Sequence, residues 1–386
     1  MKGMFKTMNF NLTEEQQLIQ QSAHEFALEH VAPLAAELDK TGRYPEETIK
    51  KLAALDFMGM PYSEEYGGAG AEYLTYILVV EELSKYCAST GIIYSAHCSL
   101  AAWPIFKWGS EELKQKYLVP MCKGEKLGAF ALTEPGAGTD AAAGQCTAVL
   151  DGDQYVLNGT KCFITNGGVA EVYIIFALTD PSLGTKGISA FVVDRGLPGF
   201  EIGKHEDKMG IRGSQTTELI FKNCHVPKAN LIGKEGKGFG IAMGTLDGGR
   251  IGVAAQALGI AQAALEEAIQ FAKERVQFHK PIATKQAIQW LLADMETRIQ
   301  AARLLTYQAA VVKDQGQVFS KEAAMAKLFA SETADYVCNK AIQIHGGYGY
   351  IKDFKVERLY RDAKICTLYE GTNEVQRMVI AGNLLR

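Results

Sequence analysis

A single glutamate, Glu370, stands between an aromatic ring and a glycine in the run Tyr369-Glu370-Gly371-Thr372, just ahead of a short closing helix. A carboxylate held there by a tight turn can meet a ligand that packs against the ring, the arrangement expected of a base that removes a proton from carbon. The same residues also fit a solvated glutamate in a polar turn between helices. A second group with chemical potential is the loop Phe130-Ala131-Leu132-Thr133-Glu134-Pro135-Gly136-Ala137-Gly138-Thr139-Asp140, entered from a strand. Its glycines leave backbone N–H groups uncovered and its hydroxyls add donors, so it can follow a polar, planar or phosphorylated ligand closely. Downstream, Lys161-Cys162-Phe163-Ile164-Thr165-Asn166-Gly167-Gly168 pairs an aromatic with a hydroxyl two residues on. Taken singly, each segment reads as an ordinary turn.

Part of the first loop, Gly136-Ala137-Gly138-Thr139-Asp140-Ala141, loosely satisfies the dinucleotide-binding glycine pattern. That pattern requires a strand before it and a helix after it. Pro135 precedes it, and Gly144 with the strand-like Cys146–Leu150 follows too soon. No G-x-x-x-x-G-K-[S/T] loop occurs either, which disfavours an ATPase.

The elements that must position these residues change character twice. From Thr13 to about Lys123 the pattern is helical, opening on Thr13-Glu14-Glu15-Gln16, which has the form of a capping box, with apolar Leu18, Ile19, Ala23, Phe26 and Ala27 behind it. Pro45-Glu46-Glu47 and Ser110-Glu111-Glu112 look like further helix starts, with acids near the positive end of the dipole. From Leu127 to about Ile232 short strands predominate: Tyr155–Leu157, Val172–Phe176, Ile188–Val193 and Glu218–Phe221, punctuated by Asp151-Gly152, Asn158-Gly159 and Pro198-Gly199. Strands without intervening helices predict an antiparallel sandwich or barrel. After Gly233 helical periodicity returns. Ile251, Ala254, Ala255, Leu258, Ala261, Leu265 and Ile269 mark one face of a long helix, and further helices are expected over Gln286–Asp314 and Lys321–Ile344. Leu246-Asp247-Gly248-Gly249-Arg250 reads as the start of the first of these, with Asp247 as an acidic N-cap. The expectation is an α+β multidomain chain: an N-terminal α-helical domain over 1–126, a middle β domain over 127–233 and a C-terminal four-helix bundle over 234–386.

Composition narrows the classes. With 386 residues, 47% of them hydrophobic and 22% charged, the chain is of the globular kind, and it is too long for one small core. A net charge of −4, with no long block of either sign, does not favour nucleic acid. Eight cysteines without a C-x-x-C pair suggest neither zinc nor a disulfide framework, and fit reduced thiols. Neither a membrane span nor a signal or transit segment is visible, so a bacterial cytoplasmic protein is expected.

The loop at Thr133, the Phe163/Thr165 pair and the stretch Arg361 to Gln376 together resemble the acyl-CoA dehydrogenase family. So do Lys208-Met209-Gly210-Ile211-Arg212-Gly213-Ser214, Arg275-Val276-Gln277-Phe278-His279-Lys280-Pro281 with Gln286 following, and Gln343-Ile344-His345-Gly346-Gly347. The resemblance runs through the whole chain and is nearest to the short-chain, butyryl-CoA-like members. It implies FAD as cofactor, an acyl-CoA substrate, a trans-2-enoyl-CoA product, an electron-transferring flavoprotein as acceptor and a homotetramer. No metal is implied.

On that resemblance Glu370 is the catalytic base, assisted by its own backbone N–H at the thioester oxygen. Phe130, Leu132, Thr133, Gly138, Thr139, Phe163 and Thr165 would face the flavin, with Thr133 and Thr165 donating hydrogen bonds and Phe163 packing. Arg275, a fork of donors suited to a pyrophosphate, would join Phe278 and Gln286. Gln343, Gly346 and Gly347 would reach the adenine part from a neighbouring subunit, with Thr372 and Glu374 completing that site. Thr139, Asp247, Arg250, Tyr369 and Gly371 would contact the acyl-CoA. The family commonly carries Trp where Phe163 stands and Gly where His279 stands. Some relatives place their glutamate at the position of Gly249 instead, and its absence there favours short straight chains. Medium-chain or branched substrates, an oxygen-using oxidase, and a non-catalytic flavin- or acyl-CoA-binding protein of the same fold remain the alternatives.

Overall fold

The structure, a computed structural model, describes residues 11–385. The lysine-bearing segment 1–10, in which no signal was expected, lies outside the described residues.

Among the described residues eight α-helical segments come first: α1 (Glu14–Phe26), α2 (Ala35–Thr41), α3 (Glu46–Ala54), α4 (Tyr73–Tyr86), α5 (Ala88–Ser95), α6 (Trp103–Trp108), α7 (Glu111–Leu113) and α8 (Val119–Cys122). The capping box forms. Thr13 Oγ1 accepts from Gln16 N–H at 3.2 Å, and Gln16 Oε1 accepts from Thr13 N–H at 3.0 Å. Ser110 likewise caps α7. Leu18 departs from the expected stripe: it is 72% exposed, while Ala23 and Phe26 point inward. The start of α4 has no cap of its own. Asp314, far along the chain, accepts from Tyr73 N–H at 2.7 Å and Leu74 N–H at 3.1 Å instead.

The strands are β1 (Gly128–Ala131), β2 (Thr147–Asp151), β3 (Gln154–Thr165), β4 (Val172–Leu178), β5 (Ile188–Asp194), β6 (Phe200–His205), β7 (Thr216–Pro227) and β8 (Leu231–Ile232). They form one sheet in the order β6-β7-β3-β2-β4-β5-β8, with β1 added to β4. The expected antiparallel arrangement holds for most pairs, with a correction. β1 runs parallel to β4, and so does the single β2–β4 bridge at Thr147 and Leu178. A long loop and the β2–β3 hairpin separate β1 from β4, so no tight turn forces those two strands to oppose each other. In β4, Val172, Ile174 and Phe176 face helices, whereas Tyr173, Ile175 and Ala177 face a core enclosed by the sheet itself. Two covered faces explain its unbroken apolar run.

β3 contains a second correction. The segment from Lys161 has the sequence of a turn, but the strand continues to Thr165 and turns at Asn166 (φ 62°). An irregularity in the pairing between Lys161 and Ile164, with Phe163 at φ 57°, turns the Phe163 ring out of the sheet to 65% exposure. Such bulges re-aim a side chain at the expense of local pairing.

After the sheet come α9 (Gly238–Glu274), a two-residue-strand hairpin β9 (Val276–Gln277) and β10 (Lys280–Pro281), then α10 (Gln286–Asp314), α11 (Ser320–His345), α12 (Val356–Ile365) and α13 (Asn373–Leu384). The C-terminal bundle comprises three long helices and two short ones among the described residues. Asp247 is not an N-cap: α9 begins at Gly238 and passes through Asp247 without interruption. Its glycines lower intrinsic propensity, but they let neighbours close in, with Gly238 against the Ser189 backbone and Gly244 against the Trp108 ring. Packing there overrides propensity. The hairpin turn Phe278-His279 has φ of 52° and 64°. Two left-handed residues suit a two-residue hairpin, and histidine tolerates that region better than most, so the turn forms without glycine.

One apolar core joins α1, α4 and α5 to α9–α12, so the first and last helical segments are packed as a unit. The sheet packs on the helices through a second core, in which Val172, Ile174, Ile188 and Val192 meet Ile105, Leu118 and Ile241, and the candidate site opens where the three parts meet.

Candidate active site

Glu370 lies in the turn between α12 and α13. It has φ 52° and Gly371 has φ 86°, two left-handed residues in succession. A glutamate adopts that backbone only when its surroundings fix it. Gln376 Nε2, from the first turn of α13, donates to Glu370 O at 3.2 Å and Gly371 O at 2.8 Å. Thr372 caps α13 by accepting from Val375 N–H. No acceptor among the described residues takes the Glu370 N–H, which leaves that donor for a ligand.

The Glu370 side chain reaches α9. Its Oε2 is sealed from solvent and has no hydrogen-bond partner, and a Cβ added at Gly249 would overlap it. Burial pushes the carboxyl up to about 8, with Lys327 and Arg250 pulling in the opposite direction. Arg250 is 5% exposed. Its Nη1 donates to Asp247 Oδ1 at 2.6 Å, while its Nε has no partner. Burial holds the guanidinium below its ordinary value. Asp247 Oδ1 also accepts from Ser320 Oγ at 3.0 Å.

These groups line one end of a cavity of about 290 Å³. Its walls bring together most of the residues singled out from the sequence. Phe130, Leu132, Thr133, Gly138 and Thr139 come from the loop after β1, Phe163 and Thr165 from the bulged end of β3, and Arg250, Tyr369, Glu370 and Gly371 from the helical side. Tyr369 is anchored by its hydroxyl, which donates to Gln256 Oε1. Asp247 stands behind Arg250 and does not reach the cavity. Thr372 and Glu374 sit just outside its lining at the head of α13. Sequence reasoning missed Ile92, Ala96 and Leu100, and also Phe239, Met243 and Leu246. A signal did exist for the last three: with Arg250 they recur at helical spacing along one face of α9. Nothing distinguishes the first three from ordinary core.

The loop after β1 is held from below. Lys161, 1% exposed, donates to Glu134 Oε1 at 2.7 Å and to Leu132 O at 3.1 Å. Glu134 in turn accepts from Gln145 N–H and Cys146 N–H. Removing one partner of such a buried pair strands the other, although the two backbone donors would still serve Glu134. Lys161→Met is expected to lower unfolding free energy by about 2 kcal/mol, read by denaturant melts, and to weaken flavin retention on gel filtration. An unaltered melt would show the pair to be incidental.

Arg275, Phe278, Gln286, Gln343, Gly346 and Gly347 do not reach the cavity. Arg275 is the C-cap of α9, with its guanidinium over the Tyr348 ring at 5.1 Å, so it shares a surface with the Gly346–Gly347 turn. Phe278 is 84% exposed at the hairpin tip. Gln286 opens α10, and Gln343 lies in the last turn of α11. Among the described residues no group of three or more His, Cys, Asp or Glu could hold a metal, and all eight cysteines are buried thiols.

The residues facing the cavity fit a flavin ring. An exposed aromatic face at Phe163 stands beside the Thr133 and Thr165 hydroxyls, and a Cβ added at Gly136 or Gly138 would meet nothing within 4 Å, so the loop is open to a close approach.

Comparison with known proteins agrees with this geometry along the whole chain. Residues 13–125 match the family model described as acyl-CoA dehydrogenase, N-terminal domain. Residues 129–224 match its middle domain and residues 236–385 its C-terminal domain. The chain is 57% identical over 379 residues to the short-chain specific acyl-CoA dehydrogenase of Clostridium acetobutylicum, covering 98% of this chain and 100% of that protein. Butyryl-CoA dehydrogenase from Megasphaera elsdenii superposes with a TM-score of 0.97 at 54% identity, over 98% of this chain and 100% of that one. A chain from structural work on the electron transferring flavoprotein of Acidaminococcus fermentans and flavin-based electron bifurcation also gives 0.97, at 56% identity and the same coverage. With all three domain models in order and a cavity that gathers their motifs around one enclosed carboxylate, the chain belongs to the acyl-CoA dehydrogenase family.

Proposed function

We propose that this protein dehydrogenates a short, straight-chain acyl-CoA of the butyryl type to the trans-2-enoyl-CoA, with Glu370 as the base. The observation that carries the reading is Glu370, whose Oε2 is buried without a hydrogen-bond partner and whose side chain lines the same cavity as Phe163 and Thr165. The hydrogen α to a thioester is a weak acid, and a base of raised proton affinity is matched to it. Glu370 takes the α-proton, the electron pair of that C–H bond becomes the new double bond, and the β-hydrogen leaves with its own pair. FAD, when bound, supplies the acceptor for that β-hydride. The free Glu370 N–H stabilises charge on the thioester oxygen in this reading, and Tyr369 walls the acyl chain. Thr133, Thr165, Gly138, Thr139 and Phe163, with Phe130 and Leu132 behind, hold the flavin. Arg275, Phe278, Gln286, Gln343, Gly346, Gly347, Thr372 and Glu374 serve its pyrophosphate and adenine ends between subunits. The C. acetobutylicum and M. elsdenii relatives support the short chain length, and the A. fermentans structure supports an electron-transferring flavoprotein as acceptor.

Arg275 and Gly346 lie outside the cavity lining, which fits a homotetramer in which copies complete one another's cofactor sites. No helix among the described residues is long and apolar enough to cross a membrane, and a cytoplasmic location accords with that. The division into 1–126, 127–233 and 234–386 follows the change from helix to sheet and back.

Anaerobic bleaching of the flavin by saturated acyl-CoAs of graded length tests the reading. The four-carbon thioester is expected to bleach fastest, with a steady fall toward long chains. Equal rates at all lengths would overturn the chain-length reading, and no bleaching by any thioester would overturn the reaction itself.

A further inference from the structure

Lys327 stands in the N-terminal third of α11 with its side chain wholly enclosed. An ammonium stripped of water persists only where acceptors replace its hydration. Two do so here: Gly371 O at 2.9 Å and Asn373 Oδ1 at 3.0 Å. Both belong to the segment that carries Glu370, and both are neutral. Asn373 Oδ1 also accepts from Ser331 Oγ, one turn further along α11, at 3.0 Å. Gly371 O therefore receives two donors, Lys327 Nζ from α11 and Gln376 Nε2 from α13. This is the over-determination that two consecutive left-handed residues need. A neutral glutamine could satisfy one of these acceptors at far smaller desolvation cost, so the buried charge calls for a reason of its own.

We propose that Lys327 is a positioning residue for the catalytic base: its ammonium pins the Gly371 carbonyl, fixes the turn that aims Glu370 into the cavity, and leaves an unneutralised positive charge beside the carboxylate. The inference rests on Glu370 being the base.

The charges around the pair give the direction of its effect. Glu370 faces Lys327 from α11 and Arg250 from α9, with the Tyr73 and Tyr76 phenols of α4 and its neighbour Tyr369 close by. Cys366, Glu370 and Glu374 favour the Lys327 charge, and Arg250 opposes it. Burial pushes the Glu370 carboxyl up to about 8 and pulls the Lys327 ammonium down to about 8. Within Glu370's balance, Lys327 is the larger of the two cations that draw it back down. Taking away that charge makes Glu370 hold its proton more tightly, so the rate rises only at higher pH.

The test uses the flavin-loaded enzyme, with Lys327→Met and Lys327→Gln compared against the parent and against Glu370→Gln. Anaerobic flavin bleaching by butyryl-CoA is followed from about pH 6 to pH 10, and thioester affinity is measured separately. For Lys327→Met, bleaching at neutral pH is expected to fall at least about tenfold with affinity little changed, and the acid limb to move up by about one pH unit. Lys327→Gln returns a donor without the charge. It is expected to recover rate at high pH while its acid limb stays displaced. An acid limb at the parental position in either variant that folds and retains flavin overturns the proposal; should Lys327→Met not fold, the Gln variant decides. Parental turnover by Glu370→Gln would instead remove the base assignment, and an inert Glu370→Gln beside an undisplaced limb would remove the role of Lys327 alone.

Discussion

Glu370→Gln is expected to retain flavin and acyl-CoA binding while turnover falls by about 10²–10⁴-fold or more. The amide is nearly isosteric and keeps the left-handed turn, whose fixing bonds involve main-chain carbonyls rather than the carboxylate. What disappears is the proton acceptor. The same change is expected to raise stability, with a pH dependence that follows from the direction of the shift. The carboxyl titrates at about 8 in the folded protein against an ordinary value of 4.5. A group whose folded value is raised contributes most below its unfolded value and loses that contribution as pH climbs through the folded one. The parent therefore carries a penalty that grows from about pH 4.5 to pH 8, and Gln does not. At pH 8 the variant should unfold at higher denaturant, by on the order of 1–3 kcal/mol, with the gap closing toward pH 5. Turnover near the parental level, or a stability gap independent of pH, would show that the carboxylate is neither the base nor desolvated in the way described.

Gly249→Ala should abolish most activity by displacing the base while leaving the fold intact. A methyl there would overlap Glu370 Oε2 and press on Leu100 Cδ2 at 2.6 Å. The carboxylate is the flexible partner, so it swings away before α9 moves. Because alanine is favoured over glycine inside a helix by about 1 kcal/mol, the melting temperature should hold within a few degrees. A displacement of roughly 1 Å at a reacting group lowers the rate by about 10²-fold. Steady-state kinetics beside a thermal melt checks both halves, and parental kcat would refute the packing argument. The contact also gives a physical meaning to the two glutamate positions seen among relatives. A side chain at 249 would start where Glu370 Oε2 now ends, so there is room for one carboxylate there and not two.

Local chemistry made much of this legible in advance. The capping box at Thr13, the limits of α10 and the position of α11 follow from side-chain periodicity and caps that act within a few residues. The motifs around Thr133, Phe163 and Tyr369 stood out because their order along the chain resembles one family, and the fold gathers them round one cavity. Other features could not be read locally. Asp247 looked like a helix start since glycines flank it, yet contacts with Ser189 and Trp108 carry α9 straight through. The Phe163 segment looked like a turn, because a bulge depends on the partner strand β7 as much as on its own residues.

By itself, then, the sequence determined which elements form and which residue types could do the chemistry, since propensities, caps and motif order are properties of short segments. Tertiary structure alone decided that Glu370 Oε2 is sealed from solvent, that Gly249 makes space for it, and that Lys327, which no pattern singled out, bonds to its turn. Those properties arise from the desolvation and steric fit of α9, α11 and the 369–371 turn, which are brought together only when one apolar core closes around all three.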